Sequence, residues 1–178
     1  MKALAIALLV IVAACGRGKA IFNVDAQSFM AGTGKDTIPY AVPPFTTASA
    51  STFQKLTLPP GFGKSFVDSV KISTGALNLI NAGGTGTIGL SMYFASDSAG
   101  TLTAPAAFNI PATNVNGAGT FPVAVSGDVS SVVNDLFTQE TVWIRLQATG
   151  TNSGATPVSG KGLITALMIR VVVEDRIF

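Results

Sequence analysis

Along most of its length the chain alternates apolar and polar residues with a period of two, the pattern of strands that bury one face. In Ser65 to Ser73, Phe66, Asp68, Val70 and Ile72 share one face while Val67, Ser69 and Lys71 share the other, and Ala76 to Ile80 continues the run. Beyond Asn81-Ala82-Gly83-Gly84, Thr85 to Ala95 alternates Ile88, Leu90, Met92 and Phe94 with Thr87, Gly89, Ser91 and Tyr93. Two such runs across an Asn/Gly turn predict a β-hairpin. Upstream, Ile21 to Phe29 reads as a first strand, followed by a turn at Gly32, Gly34, Lys35 and Asp36. Ile38 to Val42 is a short piece closed by Pro43-Pro44, which suits an edge, and Phe53 to Leu58 is a strand ended by Pro59-Pro60-Gly61.

Downstream, Pro105 to Ile110 and Phe121 to Val125 flank the Asn/Gly-rich loop Asn114 to Gly119. Thr141 to Thr149 opposes Val142, Ile144, Leu146 and Ala148 to Trp143, Arg145 and Gln147. Gly162 to Phe178, with Val171-Val172-Val173, is dense enough in β-branched residues for a central strand. Between these, Val129, Val132, Val133, Leu136 and Phe137 recur at helical spacing, so one short helix is expected near 128–137, capped by Asp128 or Ser126. Eight or nine strands separated by short turns make an all-β, antiparallel β-sandwich, jelly-roll-like in its strand count.

The alternation is absent from the first fifteen residues. Lys2 precedes an unbroken apolar run, Ala3 to Val12, and small residues stand before Cys15, as in a secretory signal peptide. The run is shorter than the roughly 20 residues a membrane-spanning helix needs. The tetrapeptide Val12-Ala13-Ala14-Cys15 resembles the lipobox of bacterial lipoproteins. That resemblance implies removal of residues 1–14, lipidation of Cys15, and attachment to the membrane without spanning it. Residues 15–20 then form a short basic tether and 21–178 a single β-sandwich domain. Gly16 occupies the position where well-studied lipoproteins carry an Asp for inner-membrane retention, so the resemblance favours the outer membrane of the cell envelope.

A second resemblance is weaker. Val129 to Phe137 followed by Val142-Trp143-Ile144 resembles the later part of jelly-roll domains found in carbohydrate-binding modules and adhesins. It concerns topology and carries no sugar-binding residue across. A binding platform needs several aromatics on one exposed face; the chain has one Trp and two Tyr, so Trp143 is expected in the core.

Composition narrows the chemistry. Only 11% of the 178 residues are charged, and the 11 Lys and Arg are scattered, which argues against a nucleic-acid partner. The absence of histidine and the single cysteine remove the commonest base, the commonest metal ligand and the Ser-His-Asp and Cys-His arrangements. The carboxylates Asp25, Asp36, Asp68, Asp97, Asp128, Asp135, Glu140, Glu174 and Asp175 are dispersed, and read as turn residues rather than a hydrolytic pair. Asp97-Ser98 with Asn114 and Asn116 could offer oxygens to Ca²⁺, but the spacing of a calcium loop is missing. Gly83 to Gly86 lacks the Lys of a phosphate loop and leads into a strand. No catalytic residue, metal site or cofactor is therefore expected, and the ligand-binding residues are undetermined. The terminal Glu174-Asp175-Arg176-Ile177-Phe178 has the final Phe of an outer-membrane barrel, yet three adjacent charges suit a lipid-facing strand poorly. Phe178 is expected to close the sandwich instead. The reading is a lipid-anchored, non-catalytic binding or structural protein with an unidentified protein or glycan partner. The alternative is an assembly subunit that pairs through an edge strand; behind it stand a hydrolase, which must bring two carboxylates together in a pocket, and a small outer-membrane barrel.

Overall fold

The computed structural model describes residues 18–32, 34–57, 66–133 and 135–175. Among these residues nine strands form two antiparallel sheets that enclose one apolar core, so the sandwich architecture holds. The strands are β1 (Gly18–Asp25), β2 (Thr37–Val42), β3 (Thr47–Thr57), β4 (Phe66–Gly83), β5 (Thr85–Ala95), β6 (Phe108–Asn116), β7 (Gly119–Asp128), β8 (Thr141–Asn152) and β9 (Val158–Asp175). The first sheet runs β1-β9-β4-β7, with β2 following β1 along the same edge of β9; the second runs β3-β8-β5-β6.

The final run is central, as its β-branched density predicts: β9 is paired on both sides, with β4 along one edge and β1 and β2 along the other. On β8 the predicted faces are correct for Val142, Ile144, Leu146 and Ala148, all buried. Val70, Leu79, Ile88, Val115, Val158 and Val171 complete the middle of the core with no exposed surface.

Several expectations fail for identifiable reasons. The hairpin across Asn81 to Gly84 does not form, because β4 belongs to the first sheet and β5 to the second. Period-two alternation specifies a buried face but not a partner. Gly84 (φ +77°) turns the chain from one sheet into the other, and Gly117 (φ +68°) does the same between β6 and β7. Among the described strands, β5 and β6 are the one sequence-adjacent pair that is hydrogen-bonded.

In β4 a register shift between Val67 and Ser69 lets Val67 and Val70 both face inward and puts Asp68 outside. The first strand starts at Gly18, within the predicted tether, and stops at Asp25, whose carboxylate accepts from the Ser28 amide and caps α1 (Ala26–Met30). The region near 128–137 holds a one-turn helix (Ser130–Val133) and a 3₁₀ turn (Leu136–Thr138) in place of one continuous helix. Three valines, two serines, an Asn and two Asp are poor helix formers, and so short a segment takes its shape from packing.

Two buried asparagines tie the crossovers together at one end of the sandwich. Asn81 Nδ2 donates to the carbonyls of Gly83 (3.0 Å), Gly84 (3.2 Å) and Gly117 (2.6 Å), and its Oδ1 accepts from the Tyr40 hydroxyl (3.2 Å). Asn152 Nδ2 donates to Val42 O (3.3 Å) and Thr156 O (2.9 Å), while Oδ1 accepts from Gly154 N (2.8 Å). Carbonyls freed where strands leave their sheets are thus satisfied from side chains.

Candidate functional site

The strand register places a mixed aromatic and polar surface on the outer face of the second sheet. Phe53 of β3 and Tyr93 of β5 lie on either side of Arg145 of β8; in the next row Lys55 and Ala95 flank Trp143. In the row on the other side, Ser51, Gln147 and Ser91 are followed by Asn109 of β6. Alternation along β8 sends Val142, Ile144 and Leu146 inward, so Trp143, Arg145 and Gln147 point outward. Trp143 is half-buried on this outer face, which corrects its assignment to the core.

Arg145 lies on the outer face yet is only 6% exposed. Its guanidinium carbon stands 3.7 Å from the Tyr93 ring centroid, and the short helix α2 (Gly100–Thr103) covers it from one end. Nε donates to the Thr101 carbonyl (2.9 Å) and Nη1 to Gln147 Oε1 (2.9 Å). Asp97 shapes that helix by accepting from Gly100 N (2.6 Å), while the Thr101 hydroxyl donates to Ser98 O (2.6 Å). Ser91 Oγ donates to Asn109 Oδ1 (2.7 Å) across the β5–β6 pair.

The four strands of this sheet contain two cations, Lys55 and Arg145, and no Asp or Glu. Acidic residues belong to the other sheet and the turns. Asp68 pairs with Lys19 (3.0 Å) and Asp128 with Lys71 (3.3 Å) on the first sheet. Asp68, with Glu174 adding to it, raises the Lys19 ammonium above its ordinary value. Asp128 is held below the carboxylate range by the Ser130 hydroxyl (2.5 Å) and amide (3.0 Å), with Lys71 contributing less. Asp25, Asp36 and Asp97 each accept from a neighbouring hydroxyl or amide.

The calcium grouping does not assemble. Asn114 lies opposite Thr87 while Asp97 follows the far end of β5, roughly 30 Å of extended strand away. Among the described residues no three His, Cys, Asp or Glu gather as a metal site. Nor is any helix among them long and apolar enough to cross a membrane. Residues 1–14, the lipidation candidate Cys15 and Phe178 lie outside the described residues.

Two concavities compete with the outer face. A cavity of about 30 Å³ between the sheets, lined by residues such as Leu77, Met92, Phe108 and Leu167, has room for about one water and is apolar. A cleft of about 260 Å³ at the glycine crossovers is lined by Gly84, Thr85, Gly117, Gly154, Ala155 and Thr156, with no charged or aromatic side chain. Against these two concavities, the outer face gathers aromatic, amide, hydroxyl and cationic groups. Sequence reasoning missed it by counting Trp and Tyr and leaving out Phe53, one of 11 phenylalanines, whose place beside Arg145 is legible only once β3 is paired.

No family model matches the chain, and no curated protein does. Among solved structures it is similar to a chain of the infectious bursal disease virus Gx strain, with 9% identity over 90% of this chain and a TM-score of 0.49. It spans 33% of that viral chain. It is also similar to TmCBM61, solved in complex with β-1,4-galactotriose (9% identity, 87% of this chain and 88% of that one, TM-score 0.29). A third likeness is to dimeric latent PorU from Porphyromonas gingivalis (12% identity, 78% of this chain and 13% of that one, TM-score 0.32). None of these carries a functional residue across.

Proposed function

We propose that this protein is a lipid-anchored, non-catalytic binding module of the cell envelope, and that its contact surface for glycans is the outer face of the second sheet. The observation that carries this reading is the grouping of Phe53, Tyr93 and Trp143 on one face with Gln147, Ser91 and Asn109. Aromatic rings offer flat apolar surface to the C–H faces of sugar rings, and amides and hydroxyls beside them exchange hydrogen bonds with sugar hydroxyls. A sheet holds these groups at fixed spacing, which limits the ordering cost of binding. The Val12-Ala13-Ala14-Cys15 resemblance supports the anchor, and Gly16 supports the outer membrane as its address.

The test uses detergent-extracted full-length protein on a glycan array, wild type beside Phe53→Ala and Trp143→Ala. Binding that both substitutions weaken, with unfolding midpoints near that of wild type, is the expected result. Absence of binding to any glycan overturns the reading. For the anchor, intact mass of wild type and Cys15→Ser is decisive: a species starting at Cys15 and heavier by acyl chains must vanish in the variant.

A second reading, an assembly subunit, is favoured by β3. This 11-residue strand ends its sheet, so its outer edge is available for pairing with another chain. Ser51→Pro, which removes an amide from β3, should then reduce self-association measured by cross-linking in membranes.

A further inference from the structure

The chemistry around Arg145 narrows the ligand class further. Arg145 as a whole residue is 6% exposed, so its side chain is largely withdrawn from water, and burial of a charge is costly unless an anion compensates it. Here the compensation is partial. Arg145 has one carbonyl, one side-chain amide oxygen and one aromatic face, all neutral, and no carboxylate partner among the described residues. Among those residues Nη2 has no hydrogen-bond partner, and it is not fully sealed from solvent. The nearest rows add a second cation, Lys55, and the four strands supply no anion.

We infer that the outer face of the second sheet selects an acidic glycan, one bearing carboxylate or sulfate groups, with Arg145 as the anion-binding residue. The inference rests on the glycan-binding reading above. Tyr93 stacks on one side of the guanidinium plane, while Thr101 and Gln147 hold Nε and Nη1, so the fork is fixed in orientation before ligand arrives. A pre-oriented guanidinium presenting N–H groups suits the paired oxygens of a carboxylate or sulfate. Phe53 and Trp143 then bracket the sugar rings, with Lys55 at the rim. The dominance of Ser, Thr, Gln and Asn over apolar groups on this face favours a hydroxyl-rich polymer over a lipid surface.

The experiment compares matched pairs of polysaccharides on the full-length protein: uronate-containing polymers beside their methyl esters, and sulfated polymers beside desulfated ones. The inference expects at least one acidic member to bind about tenfold or more tightly than its neutral counterpart, with the difference shrinking as salt rises. Arg145→Met should remove the acid preference and leave weaker, charge-independent binding, whereas Phe53→Ala should weaken both members alike. If Arg145→Met does not fold, the acid-to-neutral ratio and its salt dependence on wild type decide the question. Equal binding of acidic and neutral members overturns this inference and leaves the glycan-binding reading standing; binding to no glycan overturns both. Binding to anionic vesicles or duplex DNA without any acidic glycan also sinks it.

Discussion

The guanidinium carbon of Arg145 stands 3.7 Å from the centroid of the Tyr93 ring, a cation held over an aromatic face where the register sets the two residues directly opposite one another. The contact contributes about 1–2 kcal/mol in a desolvated setting. Desolvation of a charge that has only neutral partners among the described residues opposes it, so stability is a poor reason for an arginine here. Arg145→Met is expected to cost about 1 kcal/mol, since the Thr101 carbonyl loses its donor while the buried charge disappears. Arg145→Lys keeps a charge but loses the planar fork and is expected to cost more, about 2–3 kcal/mol. Urea unfolding of the two variants checks the order; a Met variant less stable than the Lys variant would show that charge itself holds α2 on the sheet.

The crossing at Gly84 is a place where space and backbone conformation act together. Its φ of +77° disfavours any side chain, and a Cβ there would overlap the Pro157 carbonyl. Gly117 has φ +68°, and a Cβ at that position would meet no atom within 4 Å. Gly117→Ala should therefore lose only the left-handed penalty, about 1–2 kcal/mol. Gly84→Ala adds overpacking and should lose about 3–5 kcal/mol in thermal or chemical unfolding. Equal losses would mean that the crossover relaxes around the added methyl.

Tyr40 gives the fold an alkaline limit. Burial pushes its phenol up to about 12, against an ordinary value near 10. The folded state keeps the proton that the unfolded chain gives up, so this contribution is whole below pH 10 and disappears as pH rises toward 12. The loss is of order 2 kcal/mol. Unfolding free energies measured at intervals across that range should fall more steeply for wild type than for Tyr40→Phe. Parallel curves would contradict the assignment.

Gln54 faces inward on β3 with Oε1 buried and lacking a hydrogen-bond partner among the described residues, while Nε2 donates to Lys55 O (2.8 Å). An unsatisfied buried oxygen costs about 1–3 kcal/mol. Gln54→Leu, of similar size, should raise stability by about 1 kcal/mol in denaturant unfolding. A destabilised variant would indicate that water or another group satisfies the oxygen in solution.

Part of the candidate site is legible in the sequence. The alternation of β8 assigns Trp143, Arg145 and Gln147 to one face without any knowledge of partners. Their company on that face is another matter, because Phe53 lies 92 positions before Arg145 and Tyr93 lies 52 before it. The burial of Arg145 is hidden for the same reason: it comes from Tyr93, from Thr101 of α2 and from the strand on either side. A regular period assigns Asp68 to the same face as Val70 because it admits no extra residue, and the register shift after Val67 changes the parity.

Local chemistry decided what each segment could be. Alternation marked which side chains are buried along β5 and β8, and β-branched density marked β9 as interior, whereas the Asn/Gly stretches marked the crossings only coarsely: β4 runs through Asn81 to Gly83, and β6 runs on to Asn116. Those properties act over a few residues and are written in their order. Which strand lies beside which was decided by closing the two sheets over a shared core. Almost every hydrogen-bonded neighbour here is distant in sequence, and the turn at Gly84 can lead back to the same sheet or across to the other with the same local residues. Burial of the inner faces of both sheets selects the crossing, and the outer face that gathers Phe53, Tyr93, Trp143 and Arg145 follows from that choice.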